Sequence, residues 1–141
     1  MEPLDLRQGP PRDPRERIAG LMMLARTVDK ARALLPGGDP GSYWISPGLS
    51  AYLLGRLRIS EEEFVAAVRE AQSDDDVAAF VRARVDPGRI ERIDATIGTL
   101  SVAQVTQELR ERFVRTYGER PPGELIIDVL AQDDRKTFGR R

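Results

Sequence analysis

Arg26, Asp29, Lys30 and Arg32 lie within seven residues of one another, and ionisable groups of both signs at that spacing can do chemistry. A guanidinium fork grips a carboxylate or phosphate at two points. An aspartate among such cations can orient them or act as an acid or base. With residues about 100° apart around a helix axis, Ile18, Leu21, Leu24, Ala25, Val28, Ala31 and Leu35 share one apolar arc. Arg32 falls inside that arc. Asp29 sits on its flank, one turn from Arg32 and three residues after Arg26, so one aspartate can be bracketed by two arginines. An arginine on a core-facing arc must reach out to water or meet an acid, because a buried unpaired charge is prohibitively costly. Lys30 points away from the arc and faces solvent unless another helix covers it.

Two readings of this cluster stay open. In one, Asp29 pairs with arginine and pins the helix. In the other, the cations form an anion pocket and Asp29 orients them or works as a base. The loop that follows, residues 36–48, is rich in Gly and Pro and carries Tyr43 and the single tryptophan, Trp44. These rings either plug the core or wall a pocket. The candidate ligand-binding set is therefore Arg26, Asp29, Lys30, Arg32, Tyr43 and Trp44. The loop lacks the Gly-Lys-Ser/Thr ending and preceding strand of a phosphate-binding loop, and the same missing strand excludes a dinucleotide fingerprint.

The chain has 141 residues, 22 basic and 23 acidic side chains, and neither cysteine nor histidine. That excludes zinc fingers, thiol chemistry and Ser–His–Asp catalysis, and no metal or cofactor set is expected. Twenty of the bases are arginine, as codon bias in a GC-rich genome would give. No apolar run is long enough to span a membrane, and the expected location is cytoplasmic. The balanced charge speaks against a dedicated nucleic-acid binder. Arg110, Arg112 and Arg115 could line a recognition helix, but Glu108, Glu111 and Glu119 interleave with them and make an ordinary salt-bridged face.

The elements that must position these groups read as helices. Asp13-Pro14 with Glu16, Ser60 with Glu63, Ser73 with Asp76 and Ser101 with Gln104 resemble capping boxes; Ser46-Pro47 and Asp86-Pro87 are cap-plus-proline starts. The clusters Glu61–Glu63 and Asp74–Asp76 then fall in first turns, where acids complement the helix dipole. Apolar residues recur at helical spacing in Phe64, Val68 and Ala71, in Val77, Phe80, Val81 and Val85, in Ile90, Ile93, Ile97 and Leu100, and in Val102, Val105, Leu109 and Phe113. The expectation is an all-α, compact bundle of about seven short helices, near residues 14–35, 47–58, 61–72, 74–85, 87–99, 102–117 and 123–132. Leu125 to Val129 alone could pass for a strand. Residues 1–12 read as an extended Pro/Arg arm, 13–132 as a single helical domain and 133–141 as a polar tail.

Pro10-Pro11-Arg12-Asp13-Pro14-Arg15, Gly20 and the run Leu24-Ala25-Arg26-Thr27-Val28-Asp29-Lys30-Ala31-Arg32 carry a resemblance. They are similar to the opening of the bacterial domain-of-unknown-function family 5069. The similarity continues through Tyr43, Leu49, Ile59-Ser60, Phe64, Ser73-Asp74 and Val77 to Asp133-Asp134-Arg135-Lys136-Thr137-Phe138-Gly139. It implies a shared fold and no reaction. With no nucleophile–base pair in view, the leading expectation is a non-catalytic binding module for a small anion or a partner protein. The alternative is an enzyme that uses Asp29 on an anionic substrate, with Arg26, Lys30 and Arg32 stabilising negative charge and Tyr43 supplying a hydroxyl. Specific nucleic acid and membrane are not expected partners, and no oligomeric state follows from the residues.

Overall fold

In the computed structural model, residues 1–139 are described. The order is α1 (Leu24–Ala33), α2 (Leu49–Leu57), α3 (Glu61–Glu70), α4 (Asp74–Arg82), α5 (Pro87–Thr99), a 3-10 turn (Val102–Gln104), α6 (Gln107–Tyr117) and α7 (Ile126–Phe138). Among the described residues there is no strand, only isolated bridges such as Asp5 with Asp39 and Ser101 with Leu125. The fold is an all-α bundle.

Helix α1 is its axis. Every residue from Leu21 to Ala31 is buried, and α2 and α3 pack directly on α1. Phe64 and Val68 of α3, Leu53 and Leu57 of α2, Val77 and Val81 of α4, and Ile93 and Ile97 of α5 close the core around it. A helix covered on all sides has no solvent face for its polar residues, so each must find a partner inside.

The expected first helix from Pro14 to Leu35 is shorter than predicted and begins at Leu24. Residues 14–23 form turns instead, with left-handed backbone at Ala19, Gly20 and Met23 and a bridge between Ile18 and Leu21. Tertiary partners take the donors a helix would have used. Met22 N–H donates to Asp94 of α5 (2.7 Å), which also receives Arg17, and Met23 N–H donates to the Pro14 carbonyl.

Local signals elsewhere hold in part: Ser46-Pro47 does not start α2, whose N-cap is Gly48, and the helix expected near 102–117 is broken after Gln104, where Val105 and Thr106 are extended. Ser60 and Glu63 form a complete capping box, and Asp86 caps α5 through Arg89 N–H. At α4 the cap runs in reverse, with Asp76 receiving the Gln72 N–H (2.8 Å). The arm is not free. Leu6 is buried, its N–H donates to the Asp39 carbonyl (2.8 Å) and Asp39 N–H donates to Leu4 (3.0 Å). The loop after α1 is pressed against it at Gly38, where an added Cβ would lie 2.6 Å from the Ala33 carbonyl oxygen.

The polar tail expected at 133–141 is corrected over most of its length. Helix α7 runs on to Phe138, and Asp134 is buried. Asp134 and Phe138 continue the α7 stripe at i+4 and i+8 from Leu130, and the charged letters around them hid that periodicity. Residues 140 and 141 of that segment lie outside the described residues.

Candidate functional site

Three polar clusters cross α1, and each draws its partner from a different part of the chain. Arg26, 2% exposed, forms a two-point ion pair with Asp134 of α7, at 2.7 and 2.9 Å. Asp29 is not Arg26's acid, contrary to the bracketing read from the spacing. Asp29 instead accepts the Arg12 backbone N–H (2.8 Å) and its Nε (3.2 Å). Arg32 stands 3.8 Å from Asp29 and donates from Nε to the Glu2 carbonyl (2.8 Å). Arg12 also reaches Asp74 in the first turn of α4, which holds the Asp74 carboxyl below its ordinary range. So the arm is stapled to α1 and α4 through one arginine.

Lys30 is buried, because α2 covers it. Its ammonium or amine nitrogen donates to Ser50 Oγ at 3.2 Å, and the Ser50 and Thr27 hydroxyl oxygens lie 2.9 Å apart. Thr27 gives its one proton to the Met23 carbonyl (2.7 Å), so Ser50 must give its own to Thr27. The relay runs from Lys30 through Ser50 and Thr27 to backbone, and this arrangement leaves Ser50, fully buried, as a link and not a nucleophile. Desolvation, with Arg26 next, lowers Lys30 to about 7, partly offset by Asp134.

Tyr43 caps the ion pair. Its hydroxyl donates to Asp134 (2.8 Å), its ring stacks on Phe138 at 6.4 Å, and Arg26 lies 5.4 Å from its centroid. Burial and the Asp134 hydrogen bond push its hydroxyl pKa upward. Phe138 and Asp134 come from the segment expected to be a tail, so only the register of α7 could have revealed them.

Trp44 faces elsewhere. It lines a cavity of about 200 Å3 between the loop, the start of α2, α7 and the underside of α6, together with Tyr52, Leu130, Leu109, Phe113 and Tyr117. The indole N–H is fixed on the Pro47 carbonyl (2.5 Å), and the Arg112 guanidinium carbon lies 4.8 Å from the ring centroid. Arg112 is the charged side chain in a lining that is otherwise apolar, aromatic or neutral polar. Helix α6 has no buried residue. Its apolar residues lean over the cavity without filling it. Burial drives the Tyr117 hydroxyl up to about 12, and desolvation likewise raises Asp133.

The six candidates therefore divide. Arg26, Asp29, Lys30 and Tyr43 belong to the buried ionic core, Arg32 to its edge, and Trp44 to the cavity. Arg112, Phe113 and Tyr117 were missed as cavity residues, since their sequence signal was that of an ordinary charged helix. Among the described residues no group of Asp and Glu is placed to hold a metal ion, and no helix is long and apolar enough to cross a membrane.

A family model described as domain of unknown function (DUF5069) matches residues 8–135. The chain belongs to this family. The DUF5069 match takes in the Arg12 staple, all of α1, the cavity and Asp134, and stops within α7. No curated protein matches the chain.

Proposed function

We propose that this protein is a non-catalytic binding module for a small ligand with an apolar body and one anionic group, held in the cavity beneath α6. The observation that carries this reading is the cavity itself, an aromatic-walled space with a single guanidinium at its edge. Ligand sites are concave and mostly apolar, with a few polar groups that fix orientation. A dry cavity of about 150 Å3 takes a benzene ring, so this one suits a single ring or a short acyl chain. Arg112 offers the matching contact for a carboxylate. A recess of this size favours a small molecule over a partner protein, which needs a broad face.

The enzymatic alternative built on Asp29 has weaker support, because Asp29 is committed to Arg12 and lies in the buried core. A bacterial, cytoplasmic setting is part of the proposal, and cell fractionation would check it. The experiment for the site is a thermal-shift series with aromatic and short-chain carboxylates beside their amides. Binding to the native state raises the midpoint by mass action. Carboxylates are expected to raise it more than amides, and Arg112→Met is expected to remove that difference. Equal effects of acid and amide on the unaltered protein would contradict the anionic part of the reading.

A further inference from the structure

Lys30 is a lysine nine-tenths buried, and among the described residues its nitrogen has one hydrogen bond, to a neutral hydroxyl, and no carboxylate in ion-pair contact. One turn earlier on the same helix, Arg26 spends its terminal nitrogens on Asp134, and Arg26 Nε is buried without a hydrogen-bond partner. A buried amine with no counter-ion beside a fixed cation is shifted toward its neutral form, and a neutral lysine is the nucleophile that attacks carbonyl carbon. Lys30 keeps 9% of its surface open. The unsatisfied Arg26 N–H favours a molecule that brings an acceptor of negative charge.

We propose that Lys30 is a covalent site for small 2-oxo acids, which it captures as an imine. The Nζ lone pair forms the C–N bond, and the carbonyl π pair takes a proton to give the carbinolamine. Nitrogen then expels that hydroxyl as water and loses its own proton, so the balance is amine plus carbonyl to imine plus water. No oxidant or reductant enters. The groups facing Lys30 are Arg26 on its own helix, Asp134 from α7 and the Ser50 hydroxyl from α2; of these, Arg26 lowers its proton affinity and Asp134 raises it. The site is separate from the cavity under α6, and the failure of either proposal leaves the other standing.

The chain has only one other lysine, Lys136, which is exposed and serves as an internal standard. The folded full-length protein is treated with glyoxylate and cyanoborohydride, and the carboxymethylated peptides are followed by mass. An ordinary lysine is neutral at pH 7 in fewer than about one molecule in a thousand, so Lys30 is expected to react at least about ten-fold faster than Lys136. Its rate is expected to level off as pH rises above about 7, while that of Lys136 keeps climbing. Acetaldehyde, which lacks the carboxylate, is expected to show a smaller preference for Lys30. Reaction through transient unfolding would give Lys30 no advantage, so a Lys30 rate no greater than that of Lys136 overturns the proposal. Equal selectivity for acetaldehyde and glyoxylate overturns the assignment to oxo acids.

Discussion

Arg26 and Asp134, 108 residues apart in the chain, meet in a buried two-point ion pair at 2.7 and 2.9 Å. The contact ties the last helix to the first, and Tyr43 closes it from the loop between α1 and α2. A pair so deeply buried gains little over an apolar substitute, but breaking it by removing one partner strands a charge.

That sets an order among two variants. Asp134→Ala leaves Arg26, 2% exposed, without its acid and is expected to cost about 3–5 kcal/mol. Asp29→Ala leaves Arg12 part-exposed and still paired with Asp74, and is expected to cost about 1–3 kcal/mol. Urea unfolding of both variants checks the order; a larger loss for Asp29→Ala would contradict the assignment of Asp134 as the central acid.

Lys30 predicts a pH dependence with a definite sign. Between about 7 and the ordinary 10.5, the unfolded chain carries the lysine proton and the folded chain does not. Stability from this group therefore rises with pH across that window and is flat below about 7, where both states are protonated. Lys30→Met is expected to raise stability at pH 7 by about 2 kcal/mol and to flatten the rise between pH 7 and 10. Denaturant midpoints across that range check it, and an unchanged slope in Lys30→Met would contradict the burial argument.

Specific duplex DNA binding is not expected. Arg110 donates to the Ala103 and Val105 carbonyls and Arg112 rests over Trp44, so two of the three arginines of α6 are turned onto their own fold. A protein that neutralises several phosphates loses affinity steeply with salt. A mobility-shift assay at physiological salt is expected to show no complex; tight binding lost in Arg110→Ala and Arg112→Ala would reverse the judgement.

How legible each part was depends on where its partners lie. Capping boxes and apolar spacing are local, so α3, α4 and α5 fall close to where Ser60, Ser73 and Asp86-Pro87 place them. The shortened α1 was not legible, because Met22 is captured by Asp94 at a distance that no window of sequence contains. Arg26, Lys30 and Tyr43 stood out as residue types, but their partners Asp134 and Ser50 are set by tertiary packing. Asp134 carried a local signal in its spacing from Leu130, overridden by the polar run around it. The cavity had none: Phe113 read as one more apolar residue at helical spacing, and only the poor burial of α6 shows that the space beneath it is unfilled.

The most direct test of a ligand site beneath α6 is the emission of Trp44, the single tryptophan, during titration with benzoate and hexanoate. The account predicts a saturable change in intensity or wavelength for at least one of these acids, and a weakened response in Arg112→Met. A second variant, Thr116→Phe, places a ring in the cavity lining without adding a second indole and is expected to abolish the response by filling the space, provided its melting curve stays cooperative. An emission spectrum indifferent to both acids up to millimolar concentration, with no shift in melting midpoint, would contradict the account.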